Sequence, residues 1–224
     1  MAASDPDVTP DAASDGGTRG RRPRRVAAAV DLESVLAPEF WVAVAHATGI
    51  PELRRTTRDE PNYDMLMRER LALLDTHRLP FSRVQDVIGR LTPLEGAKQF
   101  LAALGELVDE IVVVSDTFEQ LAEPFMPKIN GPPIWCHHLE IVGDRIVSYT
   151  VSPRHKVDSI GRLRAAGPTV AVGDGFNDLE MLRAADFGVL YRPSLAVQSR
   201  APDLPQANSY GQLVATLAEA LARL

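Results

Sequence analysis

A doubly wound, parallel α/β sheet is the fold class this chain predicts, and three observations predict it. Four short apolar runs, at 26–30, 111–114, 169–172 and 187–190, are each bounded by turn-forming or helical sequence, as buried strands are. Helical segments lie between them, which implies crossover connections and strands running parallel. Three of the four runs pass straight into polar residues: Asp31-Leu32-Glu33, Ser115-Asp116-Thr117 and Gly173-Asp174-Gly175-Phe176-Asn177-Asp178. Ligands bind at the carboxyl ends of strands in open parallel sheets, so a single site is expected there.

Residues 26–30 form the first strand. From 39 to 95 the alternation stops, and consecutive helices at 39–48, 63–77 and 82–91 read as a cap inserted after that strand, over the sheet's carboxyl edge. The core resumes with 111–114. An aromatic, hairpin-like stretch at 134–151 turns at Gly143-Asp144, a helix occupies 156–166, and two strands follow. An amphipathic helix at 211–224 closes the chain. The expected division is therefore a core of 26–38 and 96–224 and a helical cap of 39–95. Residues 1–25, rich in Ala, Ser, Asp, Gly and Pro, end in Arg19, Arg21, Arg22, Arg24 and Arg25. They bury too little to repay ordering and are expected to form a disordered tail. The apolar run after these arginines is five residues, short of the roughly 7 to 15 that an export signal needs.

A length of 224 residues with 45% hydrophobic content supports one good core and a modest accessory piece. A formal charge of -6 argues against a nucleic-acid-binding surface, which needs a basic field, and favours a small-molecule substrate. Cys136 is the sole cysteine, so an internal disulfide and a multi-cysteine metal site are excluded, in keeping with a reducing cytoplasm. No apolar run approaches the roughly 20 residues that span a bilayer, so no membrane partner is expected.

At the strand ends, Asp31, Glu33, Asp174 and Asp178 would gather four carboxylates in a small volume. Their mutual repulsion calls for a cation, and oxygen donors beside a phosphate suit Mg2+. Lys156 is one of only three lysines among 24 basic residues. Its compact point charge suits a crowded phosphate site better than a guanidinium fork.

In this order along the chain, Asp31 with Glu33, then Ser115, then Lys156, then Gly173 to Asp178 resemble the four motifs of haloacid dehalogenase phosphatases. The resemblance covers about residues 26–190 and implies a Rossmann-like sheet of that type. It implies further that Asp31 attacks phosphorus and carries the phosphoryl group, and that Glu33 protonates the leaving oxygen and then activates the second nucleophile. Ser115 and Lys156 would stabilise phosphoryl charge. Asp174 would bind Mg2+ with Asp31 and the main-chain carbonyl of Glu33, Asp178 would order the metal's water shell, and Asn177 would reach the phosphate. Glu33 departs from the aspartate usual at its position. Asp-Leu-Glu and the run Pro38-Glu39-Phe40-Trp41 resemble the branch of phosphoserine phosphatases that also phosphorylate homoserine, enzymes of serine and threonine biosynthesis.

The cap carries a matching signal. Tyr63, Leu66, Met67, Leu71 and Leu74 recur at helical spacing, and Arg70 falls on that apolar stripe, where a charge needs a partner such as a ligand carboxylate or an internal ion pair. Glu39 follows Pro38 at a helix start, where a carboxylate also suits the helix dipole. The resemblance assigns Glu39 to the substrate ammonium and Arg70 to its carboxylate, with Tyr63 beside them. Cys136, His137 and His138 face alternate sides of a strand and so cannot all hold one ion. Two other readings stay open: the same chemistry on another small phosphate ester, and a non-catalytic metabolite sensor.

Overall fold

A computed structural model of the chain describes residues 25–57, 59–60, 62–152 and 156–224. The expected tail therefore lies outside the described residues, Arg25 excepted. Seven strands form one sheet: β1 (Ala27–Val30), β2 (Glu110–Phe118), β3 (Ile134–Val142), β4 (Arg145–Thr150), β5 (Thr169–Gly173), β6 (Phe187–Tyr191) and β7 (Gln206–Ala207). Their order is β4-β3-β2-β1-β5-β6-β7. Every neighbouring pair is parallel except β3 with β4. The chain leaves β1 on one side to build β2 to β4 and returns on the other side at β5. The topological switch, where such sheets open a crevice, thus lies at β1.

The expected hairpin is present, but as part of the main sheet: it extends the edge beyond β2 and makes the sheet mixed. Nine α-helices lie among the described residues: α1 (Phe40–Thr48), α2 (Tyr63–Thr76), α3 (Phe81–Arg90), α4 (Ala97–Gly105), α5 (Glu119–Ala122), α6 (Lys156–Arg164), α7 (Leu179–Ala184), α8 (Leu195–Arg200) and α9 (Tyr210–Leu221). Of these, α4, α5, α7 and α8 match none of the elements expected from sequence. Helices α5, α7 and α8 span only four to six residues, too few for periodicity to announce them; α4, at nine residues, is as long as α1.

Alternation along β1 separates the two faces of the sheet. Ala28 and Val30 join one apolar cluster with Phe100, Leu104, Leu213 and Leu217 of α4 and α9, and Phe40 and Ile88 extend it into α1 and α3. Ala27 and Ala29 join another with Ile160, Leu163, Met181 and Val197 of α6, α7 and α8. Burial on both faces is what a parallel sheet requires. Helices α1 to α3 all arise between β1 and β2, and the β3–β4 turn ties down two of them. Asp144 accepts from Ser82 N and Oγ at 2.7 and 2.6 Å, and Arg145 donates twice to Asp75.

Candidate active site

The hydrogen bond from Asp31 N to Val172 O (2.9 Å) continues the sheet pairing one residue past β1 and leaves the Asp31 carboxylate buried at the crevice. The chain then turns tightly, with Leu36 N and Ala37 N both donating to Leu32 O and Ser34 in the left-handed region at φ 63°. This turn brings Glu33 back toward α1, where its Oε2 accepts from Phe40 N at 2.8 Å. Glu39, by contrast, makes no cap with its side chain. Its Oε1 accepts from Ser34 Oγ at 2.8 Å. The carboxylate that serves the start of α1 is therefore Glu33, three residues beyond the end of β1, and not the side chain of Glu39.

On β2 the parallel register with β3 breaks between Val114 and Phe118. A regular strand would alternate faces; the irregularity lets Ser115, Asp116 and Thr117 all line one cavity. β5 ends at Gly173, where an added Cβ would sit 2.5 Å from the Asp178 side chain, so this position requires glycine. Beyond it, Asp174 N and Gly175 N both donate to Asp178 Oδ2 at 2.9 Å and fold the loop around that carboxylate. Lys156, the first residue of α6, lies buried with its Nζ 2.8 Å from Asp31 Oδ1, 2.6 Å from Asp178 Oδ1 and 3.5 Å from Asp116 Oδ2.

Burial lowers the affinity of the Lys156 amine for its proton, but the charges of Asp116, Asp178 and Asp31 outweigh it and hold its pKa well above the ordinary value. Burial, then repulsion from Asp178, raises the Asp31 pKa in spite of Lys156. Asp31, Asp174 and Asp178 each offer an oxygen within 4.8 Å of the others. With Lys156 as the ammonium among them, this set carries surplus negative charge in a buried place. All its donors are oxygens, and that chemistry fits a hard divalent cation. The expected group of four carboxylates is corrected to three, because the Glu33 carboxylate is turned away to the Phe40 amide.

The same cavity is lined by Glu33, Glu39, Trp41, Thr56, Thr57, Tyr63 and Arg70. Arg70 is buried, its Cζ 4.8 Å from the Trp41 ring centroid, and its Nη2 donates to Arg55 O at 2.9 Å. Among the described residues its Nε has no hydrogen-bond partner. Burial lowers the Arg70 pKa to about 10. Burial and then Glu39 raise that of Glu33 to about 8. Tyr63 donates its hydroxyl to Asp116 O at 2.8 Å and packs edge-on against His137. Asn177, exposed, donates to Asp116 Oδ2 at 2.8 Å.

The structure thus gathers every expected catalytic, substrate-binding and metal-binding residue into one cleft except Asp178, which sits directly behind it on Lys156. Sequence reasoning missed Asp116, Thr117, Trp41, Thr56 and Thr57. The polar strand end announced Asp116 and Thr117, although alternation argued against three inward side chains in succession. Thr56 and Thr57 carry no motif. His137 is buried with Nε2 3.8 Å from Asp116, whereas exposed His138 bonds Glu119 and Gln120, so the two histidines face different surroundings. Burial pushes the Cys136 thiol up to about 12.

A buried carboxylate at a strand end beside a buried lysine and an acidic triad, on a sheet whose switch point is β1, points to a class of enzyme. The chain belongs to the haloacid dehalogenase-like hydrolases, whose family model matches residues 22–186. It is 40% identical over 189 residues to phosphoserine phosphatase ThrH of Pseudomonas aeruginosa, covering 83% of this chain and 92% of that one. It is also 40% identical to a phosphoserine phosphatase of Pseudomonas syringae pv. tomato, covering 83% and 79%. In fold it resembles phosphoserine phosphatase from T. onnurineus, with a TM-score of 0.69 and 20% identity over 89% of this chain and 98% of that one. It likewise resembles a phospho-aspartyl intermediate analogue of phosphoserine phosphatase, with a TM-score of 0.64 and 21% identity over 79% and 90%. No helix among the described residues is long and apolar enough to cross a membrane.

Proposed function

We propose that this chain is a Mg2+-dependent phosphoserine phosphatase that works through an aspartyl-phosphate on Asp31 and accepts homoserine as an alternative to water. One observation carries the reading: a single cavity is lined at once by Asp31, Ser115 and Lys156 and by Glu39 and Arg70. An α-amino acid phosphate needs both an anion-stabilising end and an acid–base pair for its ammonium and carboxylate. The unpartnered Arg70 Nε supports a carboxylate ligand, since a buried donor without an acceptor is costly. The names of the relatives support the substrate.

In the first half-reaction an Asp31 oxygen bonds to phosphorus as the serine oxygen departs, taking the proton of Glu33. In the second, Glu33 takes a proton from water or from the homoserine hydroxyl, whose oxygen displaces Asp31 from phosphorus. Lys156 and Ser115 stabilise the phosphoryl oxygens throughout. Asp31, Asp174 and Asp178 would hold Mg2+, which when bound neutralises phosphoryl charge. Residues 39–95 act as the cap that closes over the amino-acid head.

The test is turnover of phosphoserine with and without homoserine. Inorganic phosphate should give way to phosphohomoserine as homoserine is added, and Asp31→Asn should form no hydroxylamine-sensitive phosphoenzyme. Arg70→Ala should impair phosphoserine by about 2 to 5 kcal/mol, the cost of stripping one partner from a charge pair, while sparing more activity toward acetyl phosphate. Equal losses on both donors, or normal turnover by Asp31→Asn, would overturn the reading.

A further inference from the structure

We propose that Asp116 is a positioning residue for phosphoryl transfer, presenting the Asn177 amide and the Lys156 ammonium to the phosphoryl group together. The inference rests on the phosphatase reading above for the roles of those two donors. Asp116 occupies the cavity wall because the β2 register breaks beside it. One of its oxygens, Oδ2, serves both donors: it accepts from Asn177 Nδ2 at 2.8 Å and lies 3.5 Å from Lys156 Nζ.

Each donor needs such a partner. Asn177 is exposed on a three-residue turn, so packing does not fix its amide plane. Its nitrogen carries two hydrogens, and once Asp116 engages one, the direction of the other is set. Lys156 faces a different difficulty. In the resting site Asp31 is one of its anionic partners, and that charge is lost from the carboxyl group when an Asp31 oxygen bonds to phosphorus. Asp116 and Asp178 remain, so the ammonium stays where the phosphoryl oxygens arrive.

A carboxylate near a phosphate would by itself repel it. Here that charge is shared with Lys156, and His137 Nε2 lies 3.8 Å from the other oxygen. The main chain of Asp116 is anchored as well, accepting the Tyr63 hydroxyl of α2 at 2.8 Å. The position of α2 and the placement of both donors therefore meet at one residue.

The test is a double-mutant cycle on the full chain with Mg2+, assayed on phosphoserine and on p-nitrophenyl phosphate. Asp116→Ala should lower kcat about 100-fold with KM within about twofold, the signature of an interaction made in the transition state. Asp116→Asn keeps an oxygen for the Asn177 amide but loses the charge, and should recover part of the loss, to about tenfold below wild type. Asn177→Ala should cost about tenfold in the wild-type background and less than about twofold in Asp116→Ala, since its amide is already unplaced there. A residue needed only for folding would lower the melting temperature without this non-additivity. Losses that multiply, a loss confined to KM, or Asp116→Asn turning over at the wild-type rate would each overturn the proposal. Asp116→Asn is nearly isosteric, so its kcat decides the matter even if Asp116→Ala does not fold. The aryl ester separates the two readings: wild-type enzyme that hydrolyses it but not phosphoserine removes the substrate assignment, while the cycle on that ester still judges Asp116.

Discussion

On the proposed mechanism, Glu33 would serve structure and chemistry with one carboxyl group. One oxygen accepts the Phe40 amide at the start of α1, and the group as a whole, half-buried and near Glu39, is held at a pKa of about 8. A general acid must carry its proton at the working pH. Glu33 does so at neutral pH and loses it as the pH rises through about 8. The profile of kcat/KM is therefore expected to fall above that pH, and Glu33→Gln to be at least about 100-fold slower and to lack that limb. A wild-type profile that stays level well above pH 8 would remove Glu33 from the role. At Gly173 the constraint is steric: a methyl group would meet Asp178 at 2.5 Å. Gly173→Ala should lose about 1 to 3 kcal/mol in denaturant unfolding, the range for overpacking, and release Lys156 with Asp178.

Helix α3 illustrates what local sequence hides. Its N-cap position is Pro80, which offers no side-chain acceptor, and the first amides of the helix turn instead to Asp144, 62 residues away in the β3–β4 turn. Hydrogen bonds from the Ser82 side chain and amide lower the Asp144 pKa below its ordinary value of 3.8. A depressed carboxyl pKa contributes stability above its unfolded value, and that contribution is lost as pH falls through the folded value. Asp144→Asn should accordingly lower the melting temperature at neutral pH, with the gap to wild type closing as the pH falls below the ordinary carboxylate value of 3.8. A gap that persists in acid would mean that shape and not charge fastens α3. The same hairpin holds α2 through Arg145 with Asp75 and Tyr149 with Asp64, so an edge of the core sheet sets where Tyr63 and Arg70 stand.

Within the fold as a whole, acid is in surplus at the switch point. Asp31 is buried and its charge is disfavoured by Asp178 and Asp174, so a divalent cation bound there should stabilise the whole fold. At a concentration 100 times its dissociation constant, a ligand specific for the native state adds about 2.7 kcal/mol. Chelation should lower the melting temperature and Mg2+ restore it, whereas Asp174→Asn should respond much less. A wild-type melting curve indifferent to chelator and Mg2+ would contradict a bound cation.

The sequence by itself determined the α/β class, the strands at 26–30, 111–114, 169–172 and 187–190, the acids and serine at their ends, and the lysine at the start of the 156–166 helix. Those signals are local, because a buried strand and the polar residue that follows it are adjacent in the chain. Arg70 on an apolar stripe was legible for the same reason, since helical periodicity is local too. Only the tertiary structure decided the rest. Whether Glu33 joined the acidic cluster depended on a tight turn that carries it to the Phe40 amide. Asp116 entered the cavity through a register break that alternation cannot foresee. The hairpin became part of the sheet, and the cap of α3 came from that hairpin, because pairing and capping partners lie tens of residues apart and meet only when the core packs.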